Sequence, residues 1–488
     1  MFRHGVGVAP LGRRSWRGGA FAGRAAHPPP RPTEFPLSRT ASPTLAEQTT
    51  ELLQQLIRNR CVNDGTADSG HELRTVRTLQ DFFEGSGLTG VVVEPHPERA
   101  SLIVRIEGSD PSAPSLALVG HTDVVPVEPA GWERDPFAAE IVDGFLWGRG
   151  AIDMLNLTAA YAVVTREIAR SSFRPRGDLV FAAVADEESG STFGVEWLTD
   201  NRLDLIDADY VLTESGGAPA GRQPGIGVMV GEKGAAARML RVSGNPGHGS
   251  APWGRRNAAV VAAEAVRRVA QFSTPTVITP QWRSYAAALD LDEAVRAQLV
   301  DPERFFDALP QLGDLAGFAH ASTHTTISPN VVRAGEKINV IPGEATIALD
   351  IRILPGVSAD DVDGYLREAL GDLLGEVAIE GDQLGASSLS PTDTPLFDVL
   401  RGAVRRAYPA AELLPMLGVG GTDGRFYRRR GVPAYGFGLL SERWDYGMFR
   451  TLFHGHNERI DLESLDLTVN ALDHVVREFL GDRLGLRR

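Results

Sequence analysis

Apolar positions recur in two registers along the chain, and the switches between them mark its elements. Leu45, Leu52, Leu53, Leu56 and Ile57 fall on one helical face, so the spacing predicts a helix over 45–58. A second helix is predicted at 72–84. Apolar runs too short for helices follow at 91–93, 101–106, 116–119, 179–185 and 210–213. Helical stretches at 155–170 and 193–200 lie between several of them. Strands interleaved with helices predict an α/β layered domain with a largely parallel or mixed sheet.

After Gly231-Glu232-Lys233-Gly234 the pattern changes. Strands are predicted at 235–243, 325–332, 344–353 and 375–381, with helices at 257–272 and 358–373. This describes an α+β unit in which two helices cover one sheet of four strands. Residues 273–321 read as an irregular insertion, too long for a simple turn. From 384 the α/β pattern returns, with helices at 395–408 and 465–480. The expected organisation is a catalytic domain built from 44–234 and 384–488, interrupted by an inserted domain at 235–383. Residues 1–33 contain arginines but no Asp or Glu, and they carry the run Pro28-Pro29-Pro30. They lack the continuous apolar stretch of a secretory signal. Residues 1–43 are therefore read as a disordered leader or a mis-assigned start, outside the fold.

Composition narrows the possible functions. A net charge of -14 argues against a nucleic-acid partner, because phosphate binding needs a basic surface. No run of about 18 apolar residues exists, so a membrane span is not expected and a cytoplasmic protein is. The single cysteine, Cys61, allows neither an internal disulfide nor a cysteine-rich zinc site. Any metal must be held by histidines and carboxylates.

The acidic and imidazole groups gather at the ends of predicted strands, where open α/β sheets place their sites. Glu187 and Glu188 follow the run 179–185. Two such carboxylates repel each other unless a cation holds them, and neighbours on an extended chain point to opposite sides, so they can do different work. His121 and Asp123 close the run 116–119 as G-H-T-D. This spacing places both side chains on one face, and Asp123 can accept the spare imidazole N–H. Asp153 stands just before a predicted helix, Glu214 just after a strand, and His454 far downstream, two residues before His456.

Eight segments carry these residues in order: GHTDVVP (120–126), WGRGAIDM (147–154), ADEESGS (185–191), TESGG (213–217), GHGSAP (247–252), NVIPGEA (339–345), GGTDGRF (420–426) and HGHNER (454–459). Together they resemble the M20 family of metallopeptidases and amidohydrolases, across nearly all of the folded chain. The resemblance implies a zinc-peptidase-like catalytic domain with an inserted dimerisation or lid domain. It also implies two divalent cations per subunit, usually zinc, with cobalt or manganese as alternatives. His121, Asp153 and Glu214 would hold one ion, and Asp153, Glu188 and His454 the other. Glu187 takes the family role of general base and acid. His248 would reach the active site of a second subunit in a homodimer and stabilise an oxyanion. Asn339 and Arg352 match positions that bind the substrate's carboxylate or scissile carbonyl. Gly421 and Thr422 match a loop beside the site.

The expected function is a metal-dependent hydrolase cleaving an amide or peptide bond next to a free carboxylate. A carboxypeptidase or N-acyl-amino-acid deacylase is the central reading. Two alternatives are a biosynthetic acetylornithine deacetylase or succinyl-diaminopimelate desuccinylase, and a non-catalytic amino-acid or peptide binder on the same fold. The binder predicts a lost ligand or a lost Glu187, and none is missing from the sequence.

Overall fold

The computed structural model describes residues 43–220, 225–444 and 446–481, and two sheets carry the architecture. Residues 1–42, and with them nearly all of the expected leader, lie outside the described residues. The first helix, Leu45–Arg58, starts at a capping box. Thr44 Oγ1 accepts the N–H of Glu47 at 3.2 Å, and Glu47 Oε2 accepts the N–H of Thr44 at 2.8 Å.

The larger sheet has ten strands and is mixed. Its centre is parallel: Leu179–Val184, Leu116–His121, Tyr210–Thr213 and Ala434–Gly436 lie side by side in that order. Arg99–Ile106 and Gly90–His96 continue it antiparallel on one side. Every residue of the two central strands Leu179–Val184 and Leu116–His121 is buried, as expected for strands covered on both faces. Helices Leu45–Arg58, Leu155–Arg170 and Leu462–Phe479 pack on one another in the main core. Val195–Asn201 and Gly424–Arg429 bury their apolar residues in a second layer.

The smaller sheet is antiparallel, with Glu344–Ile353 pairing Thr326–Ala334 on one side and Arg238–Ser243 on the other, and Val377–Glu380 beyond. Burial along Glu344–Ile353 alternates residue by residue, so one face meets helices Ala258–Gln271 and Ala359–Leu370. These elements share a core of their own, and the two helices are as expected, but the sheet has five strands and not four, because the short Gly234–Ala235 also pairs with Glu344–Ile353.

The insertion differs from its expectation. Residues 273–321 are largely helical, as Pro280–Ala288, Glu293–Leu299, Phe305–Ala308 and Ala316–Thr323. None exceeds nine residues, so no apolar stripe persists long enough to register as a period. Their side chains Trp282, Tyr285, Phe305 and Phe318 join the core of the larger sheet, not that of the smaller one. Pro280–Ala288 packs against Glu412–Gly418. The sequence reading also passed over Gly225–Glu232, a wholly buried strand of the larger sheet. Its three glycines interrupt the apolar run that would have marked it.

Candidate metal centre

Topology brings the acidic groups together. Leu179–Val184, Leu116–His121 and Tyr210–Thr213 are adjacent and parallel, with His121 opposite Val184. Adjacent strands lie about 4.8 Å apart. The residues at or just past their carboxyl ends, Glu187 and Glu188, His121, and Glu214, are therefore neighbours by construction. Asp153 arrives from the start of helix Leu155–Arg170, which lies tight beneath the central strand. Thr158 Oγ1 donates to the carbonyl of His121 at 2.8 Å, and a Cβ on Gly120 would stand 2.4 Å from that oxygen. Only glycine permits this approach. His454 comes from the other end of the chain, delivered by strand Arg459–Asp461 pairing with Phe145–Trp147.

The six residues meet at close range. His121 Nε2 lies 3.2 Å from Asp153 Oδ1, and His454 Nε2 lies 2.8 Å from Asp153 Oδ2 and 3.2 Å from Glu188 Oε2. Asp153 thus touches both imidazoles with different oxygens. Single ligand atoms of His121, Asp153 and Glu188 fall within 4.8 Å of one another, and so do those of His121, Glu187 and Glu214. On its other side, His121 Nδ1 faces the Asp123 carbonyl at 3.0 Å, which leaves Nε2 aimed into the cluster.

The turn that presents the two glutamates is anchored from below. Asp123 Oδ1 accepts the N–H of Glu187 at 3.2 Å, and its Oδ2 accepts those of Glu188 at 3.1 Å and of the Asn63 amide at 2.9 Å. Asp186 opens the turn in the left-handed region (φ 68°), which favours glycine, asparagine or aspartate. Its carboxylate is held by Arg99 Nη2 at 2.7 Å and Asn63 Nδ2 at 3.0 Å, and Arg99 in turn pairs with Glu72 at 2.8 Å. Asn63, Glu72 and Arg99 were not anticipated. They carry no motif of their own and are identified only by where the chain brings them.

The electrostatics of the cluster describe a place short of positive charge. Burial, reinforced by neighbouring carboxylates, pushes Glu187 and Glu214 well above the usual carboxylate range, and Glu188 upward too. Burial opposes protonation of His454, yet its bonds to Asp153 and Glu188 outweigh it and push the imidazole up to about 10. Glu188 Oε1 and Glu214 Oε1 are buried with no hydrogen-bond partner. Such orphaned oxygens need an account. A set of histidine nitrogens and carboxylate oxygens with unused lone pairs fits divalent cations, and nothing softer.

The cluster floors a cleft of about 450 Å³ whose walls include Lys233, Arg352, Gly421, Arg425 and Arg429. Arg352 lines it while pairing with Asp350 at 2.8 Å. Arg425 Nη1 stands 3.7 Å from Glu187 Oε1 and donates to the Thr422 carbonyl at 2.8 Å. Thr422 is buried, and its N–H and hydroxyl both donate to Glu232 Oε2 at 2.7 Å. His248 and Asn339 lie elsewhere, exposed on the inserted unit, where Gly247–His248 pairs with Val340–Ile341. Neither is among the residues lining the cleft.

Comparisons with known proteins agree with this picture. Residues 117–478 match the model of peptidase family M20/M25/M40. Human N-fatty-acyl-amino acid synthase/hydrolase PM20D1 is 27% identical over 400 residues, covering 78% of this chain and 77% of the relative. Mouse aminoacylase-1 is 25% identical over 387 residues, covering 78% and 84%. Among solved structures, an M20 family metallo-carboxypeptidase, Sso-CP2 from Sulfolobus solfataricus, superposes with a TM-score of 0.65 at 17% identity. That match covers 88% of this chain and 99% of the other, and it shows the shared fold. With the family match spanning most of its length, the chain belongs to peptidase family M20/M25/M40 and is an enzyme that hydrolyses amide or peptide bonds.

Proposed function

We propose that the chain is an N-acyl-amino-acid hydrolase, with a small peptide bearing a free carboxylate as the second substrate class. The observation that carries this reading is the buried pair of unpartnered oxygens, Glu188 Oε1 and Glu214 Oε1, beside Glu187 at the carboxyl ends of three adjacent parallel strands. The relatives named for N-fatty-acyl amino acids and for aminoacylase favour an acyl-amino acid. His121, Asp153 and Glu214 would hold one divalent cation, and Asp153, Glu188 and His454 another, with zinc as first choice and cobalt or manganese as alternatives. Bound there, such ions supply the charge that acidifies a water and polarises the scissile carbonyl.

The remaining steps fall to the chain. Glu187 accepts a proton at its carboxylate from the water as that water's C–O bond to the carbonyl carbon forms, and it delivers the proton to the amine nitrogen as the C–N bond breaks. Asp123 keeps His121 in one tautomer through its carbonyl. Arg352 suits a planar carboxylate, and Arg binds such groups in a bidentate fashion. Gly421 lines the wall beside it, and Thr422 braces that loop from behind through Glu232. His248 would come from a second copy in a homodimer, donating to the developing oxyanion. The partition into 44–234 with 384–488 and the inserted span 235–383 belongs to this reading, as does a cytoplasmic location. Among the described residues no helix is long and apolar enough to cross a membrane.

The test is a panel of N-acyl amino acids and dipeptides assayed after chelation and reconstitution with zinc, cobalt or manganese. Metal-dependent release of a free amino acid from acyl substrates supports the reading. Turnover of neither class, or turnover of acetylornithine or succinyl-diaminopimelate alone, replaces it.

A further inference from the structure

Two buried residues outside the cluster join the loops that carry its most distant members. Arg149 and Glu458 lie 309 positions apart in sequence, and their side chains are 3% and 0% exposed. Arg149 Nη1 meets Glu458 Oε2 at 2.6 Å. Each partner then reaches a different loop. Glu458 Oε1 accepts the backbone N–H of Ile152 at 2.8 Å and of Asp153 at 3.3 Å. Arg149 Nη2 donates to the carbonyls of His454 at 3.2 Å and Gly455 at 3.1 Å. The pairing of Phe145–Trp147 with Arg459–Asp461 leads directly into this link, since the Gly148 N–H donates to the Glu458 carbonyl at 2.9 Å. Trp132 closes the outside, with the Arg149 guanidinium 5.4 Å from its ring centre.

A fully buried ion pair is a poor source of stability, because desolvating both charges costs about what their attraction returns. What the pair does supply is geometry. Its four outward hydrogen bonds all go to backbone groups of Ile152, Asp153, His454 and Gly455, and a guanidinium fork matches two carbonyls in a way an ammonium cannot. We propose that Arg149 and Glu458 are positioning residues that fix His454 relative to Asp153, and so set the spacing of the second cation's ligands. The inference rests on the two-cation reading above. The Arg149 arm separates the sites: it reaches only the His454 loop, whereas Asp153, shared by both ions, is held through Glu458, and His121 and Glu214 take no support from the bracket.

The test is calorimetric titration of cobalt(II) into metal-free protein, for the wild type, Arg149→Lys, Glu458→Gln and Arg238→Lys. Arg238 is a matched control, paired with Asp363 at 2.9 Å, 1% exposed and in the inserted unit. Wild type should show two binding events per chain. In Arg149→Lys one of the two events should lose about 10–100-fold in affinity, while the other changes by less than about threefold. Glu458→Gln keeps an acceptor for Ile152 and Asp153 and should show the same asymmetry to a smaller degree. Arg238→Lys should leave both events unchanged even if it lowers the melting temperature. Equal weakening of both events in the bracket variants, or none, overturns the inference. A wild-type chain that takes up fewer than two ions overturns the reading beneath it, before any variant is compared.

Discussion

Asp123 receives the backbone N–H groups of Glu187 and Glu188 on opposite oxygens of one carboxylate, at 3.2 and 3.1 Å. The Asp123 side chain therefore fixes the base of the turn, while its backbone carbonyl faces His121 Nδ1 at 3.0 Å. Replacing it with alanine keeps that carbonyl but removes the hydrogen bonds to Glu187, Glu188 and Asn63 and the carboxylate 3.6 Å from the imidazole. Asp123→Ala should weaken cation binding by about 10–100-fold and lower kcat, read by chelator competition and steady-state kinetics. Unchanged metal affinity would remove Asp123 from this role.

Glu187 lies beside two carboxylates with orphaned oxygens, yet its proposed work is proton transfer. Glu187→Gln should retain both ions by elemental analysis and lose about 10²–10⁴-fold in kcat, the range such catalysis supplies. Near-normal turnover, or loss of a metal, would argue for a ligand instead.

Sharing of the site between copies has a numerical signature. If His248 serves the other subunit of an isologous dimer, equal mixing of His248→Ala and Glu187→Ala chains after subunit exchange should restore about a quarter of wild-type activity. Mixtures that stay as inactive as the parents would place His248 outside the reaction.

Glu232 and Arg428 form a pair buried on both sides, at 2.9 Å, beneath the Thr422 loop. Glu232→Ala leaves a buried guanidinium and two unpaired Thr422 donors, so it should destabilise the protein by about 3–5 kcal/mol, measured by urea unfolding. A change within error would mean that water replaces the carboxylate.

His324, which is none of the candidate ligands, gives a pH signature of its own. Burial, with His320 stacked 4.3 Å away and Lys233 nearby, depresses its imidazole to about 4. An unfolded chain holds an ordinary histidine near pKa 6.5. Between these values the unfolded state binds the extra proton, so this contribution to stability is complete above pH 6.5 and is lost as pH falls toward 4. His324→Phe should flatten the fall in urea midpoint across that window. An identical slope in both proteins would refute the assignment.

Much of this was legible from the chain. The apolar runs 116–119 and 179–185 announced the two central strands, and the residues that follow them announced the cluster. Composition confined any metal to histidine and carboxylate ligands, which is the donor set that converges. Other parts were hidden for physical reasons. Gly225–Glu232 is central but glycine-rich, so its run of apolar side chains is broken. The insertion's helices are shorter than the window in which a period can be seen. Asn63, Arg99 and Glu72 act through contacts to Asp186 that lie 123, 87 and 114 positions away, and no local pattern records so distant a partner.

The pairing of Phe145–Trp147 with Arg459–Asp461 also bears on how the protein is made. Synthesis runs from the amino terminus, so His121, Asp153, Glu187, Glu188 and Glu214 all emerge long before His454. Until the final strand docks, a nascent chain holds an acidic cluster without its last imidazole. The cluster gains its second imidazole only once the segment carrying His454 has docked through this strand pairing, so its assembly depends on a contact between parts of the chain about three hundred positions apart.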